Sequence, residues 1–308
     1  MVRNQSYCVS NEVEIKEYLK KALPIRPPFS VFEPMHHLTF TAPRTKAPVL
    51  CIAACELTGG DRSRALAAAA AAALHLMHAA TFTHENLPVT DRPRPKPEVP
   101  HKFGPNVELL TGDGIMPFGL ELLARSMDQA QNDPDQILRV IVEITRAIGS
   151  QGMIDGRYRE LEMDLSQENT GRVMDYVCEK KKVELHACGA ACGAILGGGD
   201  EVEIEKLRKY GDYVGMIHGM LNGIGKNKEG LIEEKTERLR ILALKELEIF
   251  KGKNDVGSAE NLRIPLQGSS IEGESGPKTD AKHVLEDQTQ LELPTLYFEF
   301  SDEVPLSF

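Results

Sequence analysis

The 308-residue chain has no excess of basic side chains: 36 lysines and arginines stand against 46 acidic residues, a formal net charge of −10. Such a surface repels the phosphates of nucleic acid and argues against a nucleic-acid partner. No apolar run reaches the roughly 18 residues that a membrane helix needs. The longest candidate, the alanine tract Ala67–Ala73, is too short and too weakly hydrophobic. Cysteines are few, six in all, without the paired pattern of small secreted domains, and a reducing compartment is expected. The opening stretch MVRNQSYCVSNEVE shows neither a secretory h-region nor an Arg/Ser-rich transit peptide. Strand-like alternation is missing as well.

Helical punctuation fills the space that strands leave. Asp133-Pro134-Asp135-Gln136 reads as a capping box with proline at the first helical position. Ile137, Leu138, Ile141, Ile144 and Ile148 then mark one face, and Gly149 closes the segment. Leu207, Tyr210, Val214, Ile217 and Leu221 repeat with steps of three and four. Leu231–Phe250 carries a broad apolar stripe, with Glu234 and Arg238 spaced for an i,i+4 pair. Gly59-Gly60-Asp61 ends one helix and caps the next, which runs to about His84. These signs predict an all-α protein, a single large helical bundle over residues 1–253. Pro88–Pro100, with five prolines, is expected to be an extended loop. Residues 254–308 lose helical periodicity and are expected to form a disordered acidic tail, with LPTLYFEF as a candidate docking peptide.

Four constellations could carry chemistry. Cys51-Ile-Ala-Ala-Cys55 and Cys188-Gly-Ala-Ala-Cys192 each place two thiols at i,i+4 on one helical face. Structural zinc prefers closer spacing on tight knuckles, and an i,i+4 pair on one helix lacks good disulfide geometry. Buried thiols that pack as compact hydrophobes at a close helix–helix contact, within the chain or between chains, fit best. In Met35-His36-His37 the two imidazoles project about 100° apart on a helix and cannot share a metal. His84 to Asp91 offers only Glu85, Asn86 and Asp91 at a helix end, thin provision for magnesium.

The stretches FEPMHHLTFTAP, LCIAACELTGGDRSRA, GPNVELLTGDG and HACGAACGAILGGG resemble the trans-type prenyl diphosphate synthases. Within that family they are most similar to the small subunits of the plant heteromeric geranyl and geranylgeranyl diphosphate synthases, from about Tyr18 to Lys253. The resemblance implies the isoprenoid synthase fold. In active members, two aspartate-rich motifs hold magnesium against an allylic diphosphate, since hard cations need anionic oxygens. Here the first motif falls on Glu85, Asn86 and Asp91, and the second on Asn222, Gly223 and Lys226, where no carboxylate survives. The basic anchor for isopentenyl diphosphate falls on Ala42–Pro48, where Arg44 and Pro48 alone keep their character and Thr45 and Ala47 take the arginine positions. The Phe-Gln pair before the second motif becomes His218-Gly219.

Losing preorganised charge costs about 10²–10³ in rate per group. The resemblance therefore implies a subunit without catalytic residues, metal ligands or substrate-binding residues of its own, and without a cofactor. It implies a catalytic geranylgeranyl diphosphate synthase large subunit as partner, with Mg2+ held in that partner, and a plastid location. It also implies that Cys51, Cys55, Cys188 and Cys192 serve the subunit interface. A prenyltransferase active through Glu85 and Asp91 is the competing expectation, and a redox-sensing thiol protein is a third.

Overall fold

Two segments built of small residues, Ala47–Gly59 and Glu184–Leu196, lie at the centre of the bundle, and their composition accounts for the position. In a computed structural model the described residues are 2–59, 64–87, 101–126, 134–166, 176–221 and 229–251, all within the unit Met1–Ser269. Among them every regular element is helical. In order these are α1 (Val2–Ala22), α2 (Phe29–Thr41), α3 (Ala47–Gly59), α4 (Arg64–Asn86) and α5 (Pro105–Arg125). α6 (Pro134–Ile148) and α7 (Met153–Ser166) follow. A π-helical turn, Glu179–Val183, then runs straight into α8 (Glu184–Leu196), before α9 (Glu201–Leu221) and α10 (Glu229–Glu246). No described helix is long and apolar enough to cross a membrane.

α3 is buried at every residue from Ala47 to Leu57, and α8 from Leu185 to Leu196. The two pack most extensively on each other, and α9 packs on the other side of α8. A glycine stripe makes this possible. Gly189, Gly193 and Gly197, four residues apart on α8, meet Ala47, Cys51 and Cys55 of α3, four residues apart in turn. A Cβ on Gly189 would overlap the Ala47 carbonyl oxygen, and one on Gly193 the Cys51 carbonyl oxygen. Without side chains in between, backbone meets backbone. α9 repeats the device: Gly211 lies 2.6 Å, for an added Cβ, from the His186 carbonyl oxygen, and Gly215 lies 2.8 Å from the Val183 Cα.

Buried Leu50, Ile52 and Leu57 of α3 and Ile195 and Leu196 of α8 fill the space around this seam, each contributing about 1.5–3 kcal/mol by leaving water. The alanine tract Ala67–Ala73 of α4 is buried throughout. It is a strong helix former that also lets its neighbours close in.

Several elements match the sequence pattern. Leu207, Tyr210, Val214 and Ile217 are the buried face of α9. Its N-terminus adds a reciprocal cap, in which the Glu203 N–H donates to Asp200 Oδ1 (2.9 Å) and the Asp200 N–H donates to Glu203 Oε2 (3.0 Å). α6 needs correction. Ile137, Val140, Ile144 and Ala147 are its buried residues, whereas Leu138 is 59% exposed, because one residue beyond Ile137 rotates it about 100° off that face. On α10, Glu234 and Arg238 do not pair; Arg240 and Glu237 do, at 3.3 Å. The proline-rich segment 88–100 and the tail 254–308 lie outside the described residues.

Candidate functional site

The C-terminal end of α4 brings Glu85 towards the π turn. Its Oε1 stands 3.2 Å from Lys181 Nζ, which also lies 2.8 Å from Glu160 Oε2 on α7. One buried ammonium thus engages two carboxylates. The next residue, Asn86, turns its amide back to donate to the Phe82 carbonyl at 2.8 Å. A magnesium cluster needs several free carboxylate oxygens around each ion. Here one carboxylate is ion-paired, its neighbour is a neutral donor, and no group of three or more metal-capable side chains occurs among the described residues. The described residues do not fit magnesium. Asp91, Asn222, Gly223 and Lys226 lie outside them.

Lys46 and Arg44 precede α3, and both turn towards Glu12 of α1, at 2.9 and 3.4 Å. Thr45 Oγ1 accepts from the Ala47 N–H. Near them four imidazoles from three helices come together. His75 Nε2 donates to the Thr39 carbonyl (2.9 Å) and His78 Nε2 to the Pro43 carbonyl (3.0 Å). His186 Nδ1 donates to the Lys182 carbonyl (2.6 Å). Its ring lies 5.3 Å from that of His218. His186 Nε2 is buried with no partner among the described residues. Burial pushes His78 and His186 down to about 3; burial, with the nearby Lys46 and Lys182 ammoniums, pushes His218 down to about 4. At neutral pH all three are uncharged bases. His75, His78 and His218 are half-buried, whereas His186 is buried. Sequence spacing could not assemble this group, because it draws on α4, the π turn, α8 and α9 at once.

Cys51, Cys55, Cys188 and Cys192 all sit at the α3–α8 seam. None is more than 2% exposed. In the isolated chain the four thiols pack at a helix–helix contact within the subunit. Cys51 Sγ points at the Ala67 carbonyl of α4 (3.9 Å), and the sulfurs of Cys188 and Cys192 are 3.7 Å apart. Burial pushes the Cys51 thiol well up; for Cys192 the Cys188 contact comes first and burial second. Such thiols stay protonated and inert, which counts against redox sensing. His36 and His37 diverge as helical geometry requires: His36 stacks near Phe40, with ring centroids 4.5 Å apart, and His37 meets the edge of Phe103 at 5.5 Å.

A cavity of about 540 Å³ opens between α6, the π turn with α8, and α9. Arg208 holds Glu143 through two nitrogens (2.8 and 2.9 Å), while burial, with Glu184 nearby, pushes the Asp212 carboxyl up to about 6. Nothing in the sequence pattern marked it.

Residues 30–221 match the sequence profile of the polyprenyl synthetase family. The chain is 51% identical over 255 residues to a chloroplastic heterodimeric geranylgeranyl pyrophosphate synthase small subunit 2 from Cannabis sativa, covering 81% of this chain and 88% of that one. Its fold is similar to the crystal structure of a geranyl diphosphate synthase small subunit from Antirrhinum majus (TM-score 0.76, 58% identity, 86% and 99% covered). It is likewise similar to a chain in the structure of a mint heterotetrameric geranyl pyrophosphate synthase (TM-score 0.73, 53% identity, 85% and 100% covered).

Proposed function

Because the chain belongs to the polyprenyl synthetase family, we propose that it is a regulatory subunit: it binds a catalytic geranylgeranyl diphosphate synthase subunit and changes that subunit's product, without prenyl transfer of its own. The observation that carries the reading is the fate of Glu85. The carboxylate that would have to gather magnesium is ion-paired to Lys181, which is shared with Glu160, and an amide stands beside it at Asn86. Magnesium is then the partner's cofactor. The named heteromeric small subunits among the relatives support the association, and their chloroplastic designation supports a plastid location.

A protein without chemistry can alter another's product only through differential binding to two states of that partner. Product length in a helical prenyl synthase is set by how far the growing apolar chain extends into the bundle. A bound subunit that shifts the partner's helices shortens or lengthens this depth. The similarity to geranyl diphosphate synthase small subunits favours a shift towards the ten-carbon product.

The test is to purify the chain alone and with a catalytic large subunit, supply isopentenyl and dimethylallyl diphosphates with magnesium, and size the products. No product is expected from the isolated chain, and a higher ten- to twenty-carbon ratio is expected from the complex. Turnover by the pure chain, abolished by Asp91→Ala, would restore the reading of an active prenyltransferase.

A further inference from the structure

A cavity of about 390 Å³ lies between the π turn, α9 and α10, within the size range of small-molecule sites. Its wall on α10 is one helical stripe, in which Lys235, Arg238, Leu239 and Leu242 stand at i, i+3, i+4 and i+7. The stripe is graded. Cations hold its N-terminal half and leucines its C-terminal half, over about 10 Å of helix axis. Met216 and Met220, one turn apart on α9, and Val183 of the π turn complete an apolar interior. Thioethers are flexible and polarisable, which suits a floor that adapts to a chain rather than to one fixed shape. Neither Lys235 nor Arg238 has an ion-pair partner among the described residues, since Glu237 is taken by Arg240. Two cations against the lining's single carboxylate, Glu179, leave one positive charge over, on a chain whose net charge is −10.

We propose that this cavity is a binding site for an amphiphilic anion, an apolar chain that carries one carboxylate or phosphate head. The chain lies along Met216, Met220, Leu239 and Leu242, and the head meets Lys235 and Arg238 at the mouth. Each half of the stripe needs the other. An apolar lining alone would take any hydrophobe, and two exposed cations alone would hold an anion only weakly in water and salt. Joined within two helical turns, they select a molecule that has both properties. The Arg238 guanidinium offers a planar fork that matches a carboxylate or a phosphate, and the Lys235 ammonium adds a point charge. Recognition here needs no metal, and α4, which carries Glu85, contributes nothing to the lining. This inference does not rest on the regulatory reading, and the isolated full chain tests it without a partner subunit.

The experiment is isothermal titration of the full chain with octanoate, decanoate and dodecanoate, each below its micelle-forming concentration. Dodecyl phosphate and dodecyltrimethylammonium are titrated beside them. One site is expected for the anions, and decanoate should bind about tenfold more tightly than octanoate. Whichever of dodecanoate and dodecyl phosphate binds more tightly identifies the head group. The cationic amphiphile should bind at least about tenfold more weakly than either. Arg238→Gln and Leu242→Gln, the latter at a side chain 43% exposed, should each weaken dodecanoate about tenfold, with unchanged helicity by circular dichroism. Dodecanoate should also slow alkylation of Cys178, which lines the cavity and is half-buried, whereas the other five cysteines are at most 3% exposed. Absence of binding by both anionic heads overturns the proposal. So does equal binding of the cationic amphiphile, affinity that does not rise from octanoate to decanoate, or binding that neither variant weakens.

Discussion

Gly193 of α8 sits directly against the Cys51 carbonyl of α3, and a Cβ at that position would occupy the space of the oxygen. The neighbour is backbone, so it cannot rotate away. Gly193→Ala should therefore separate the central helices and destabilise the chain by about 3 kcal/mol or more. Gly114→Ala on α5 is the control, because nothing stands within 4 Å of the added Cβ. There alanine should stabilise by about 0.5–1 kcal/mol. Chemical denaturation of the two variants checks both signs.

Burial of the thiols gives a second expectation. Cys192→Ser puts a hydroxyl into a buried seam beside the Cys188 sulfur, 3.7 Å away, and should cost about 1–3 kcal/mol of the subunit's own stability. Cys192→Ala should cost less. If association with a large subunit also weakens, the loss should track the loss of stability across the two variants. An association defect in a variant of unchanged stability would give the thiol a direct role in the interface.

Asp212 supplies a pH signature. Its folded carboxyl is raised to about 6, by burial first and by Glu184 next. The native state therefore holds this proton more tightly than the unfolded chain does. The resulting stability is fully present below the unfolded value near 3.8 and is lost as pH rises through about 6. Asp212→Asn should accordingly raise the unfolding free energy at neutral pH by about 1–2 kcal/mol after allowing for solvent screening, read as a higher melting temperature. The gain should shrink towards zero near pH 4. A gain independent of pH would assign the effect to something other than this proton.

The acidic stretch 254–308 is expected to be dispensable for product control. Deleting it and assaying the reconstituted complex should leave the ratio of ten- to twenty-carbon product unchanged. Reversion to the ratio of the large subunit alone, with binding intact, would place regulation in that stretch.

Much of the fold was legible because it repeats locally. Leu207, Tyr210, Val214 and Ile217 announce α9 by spacing alone, whereas the reciprocal cap of Asp200 and Glu203 at its start came only with the structure. Leu138 misled because an isoleucine-rich run on α6 offers more apolar residues than its buried arc can take. The CxxxC segments pointed correctly to a close helix contact, but spacing cannot say whether the opposing helix belongs to the same chain. Lys181, within the run Glu179-Lys180-Lys181-Lys182, looks like a solvated charge cluster. Its engagement of Glu85 and Glu160 depends on α4 and α7, far away in sequence. The cluster of His75, His78, His186 and His218 was invisible for the same reason.

The α3–α8 seam has a mechanical consequence. Its contacts are made by glycines and carbonyl oxygens, which have no rotamers through which to yield. The pair is therefore expected to move as one body. Lys46 stands just ahead of the Ala47 end, and at the far end Thr58 of α3 closes on Gly197 and on the Ala194 carbonyl of α8 (3.4 Å). The Lys46 end is thereby tied to the Thr58 end by backbone contact along the whole seam, at the density with which protein interiors transmit strain.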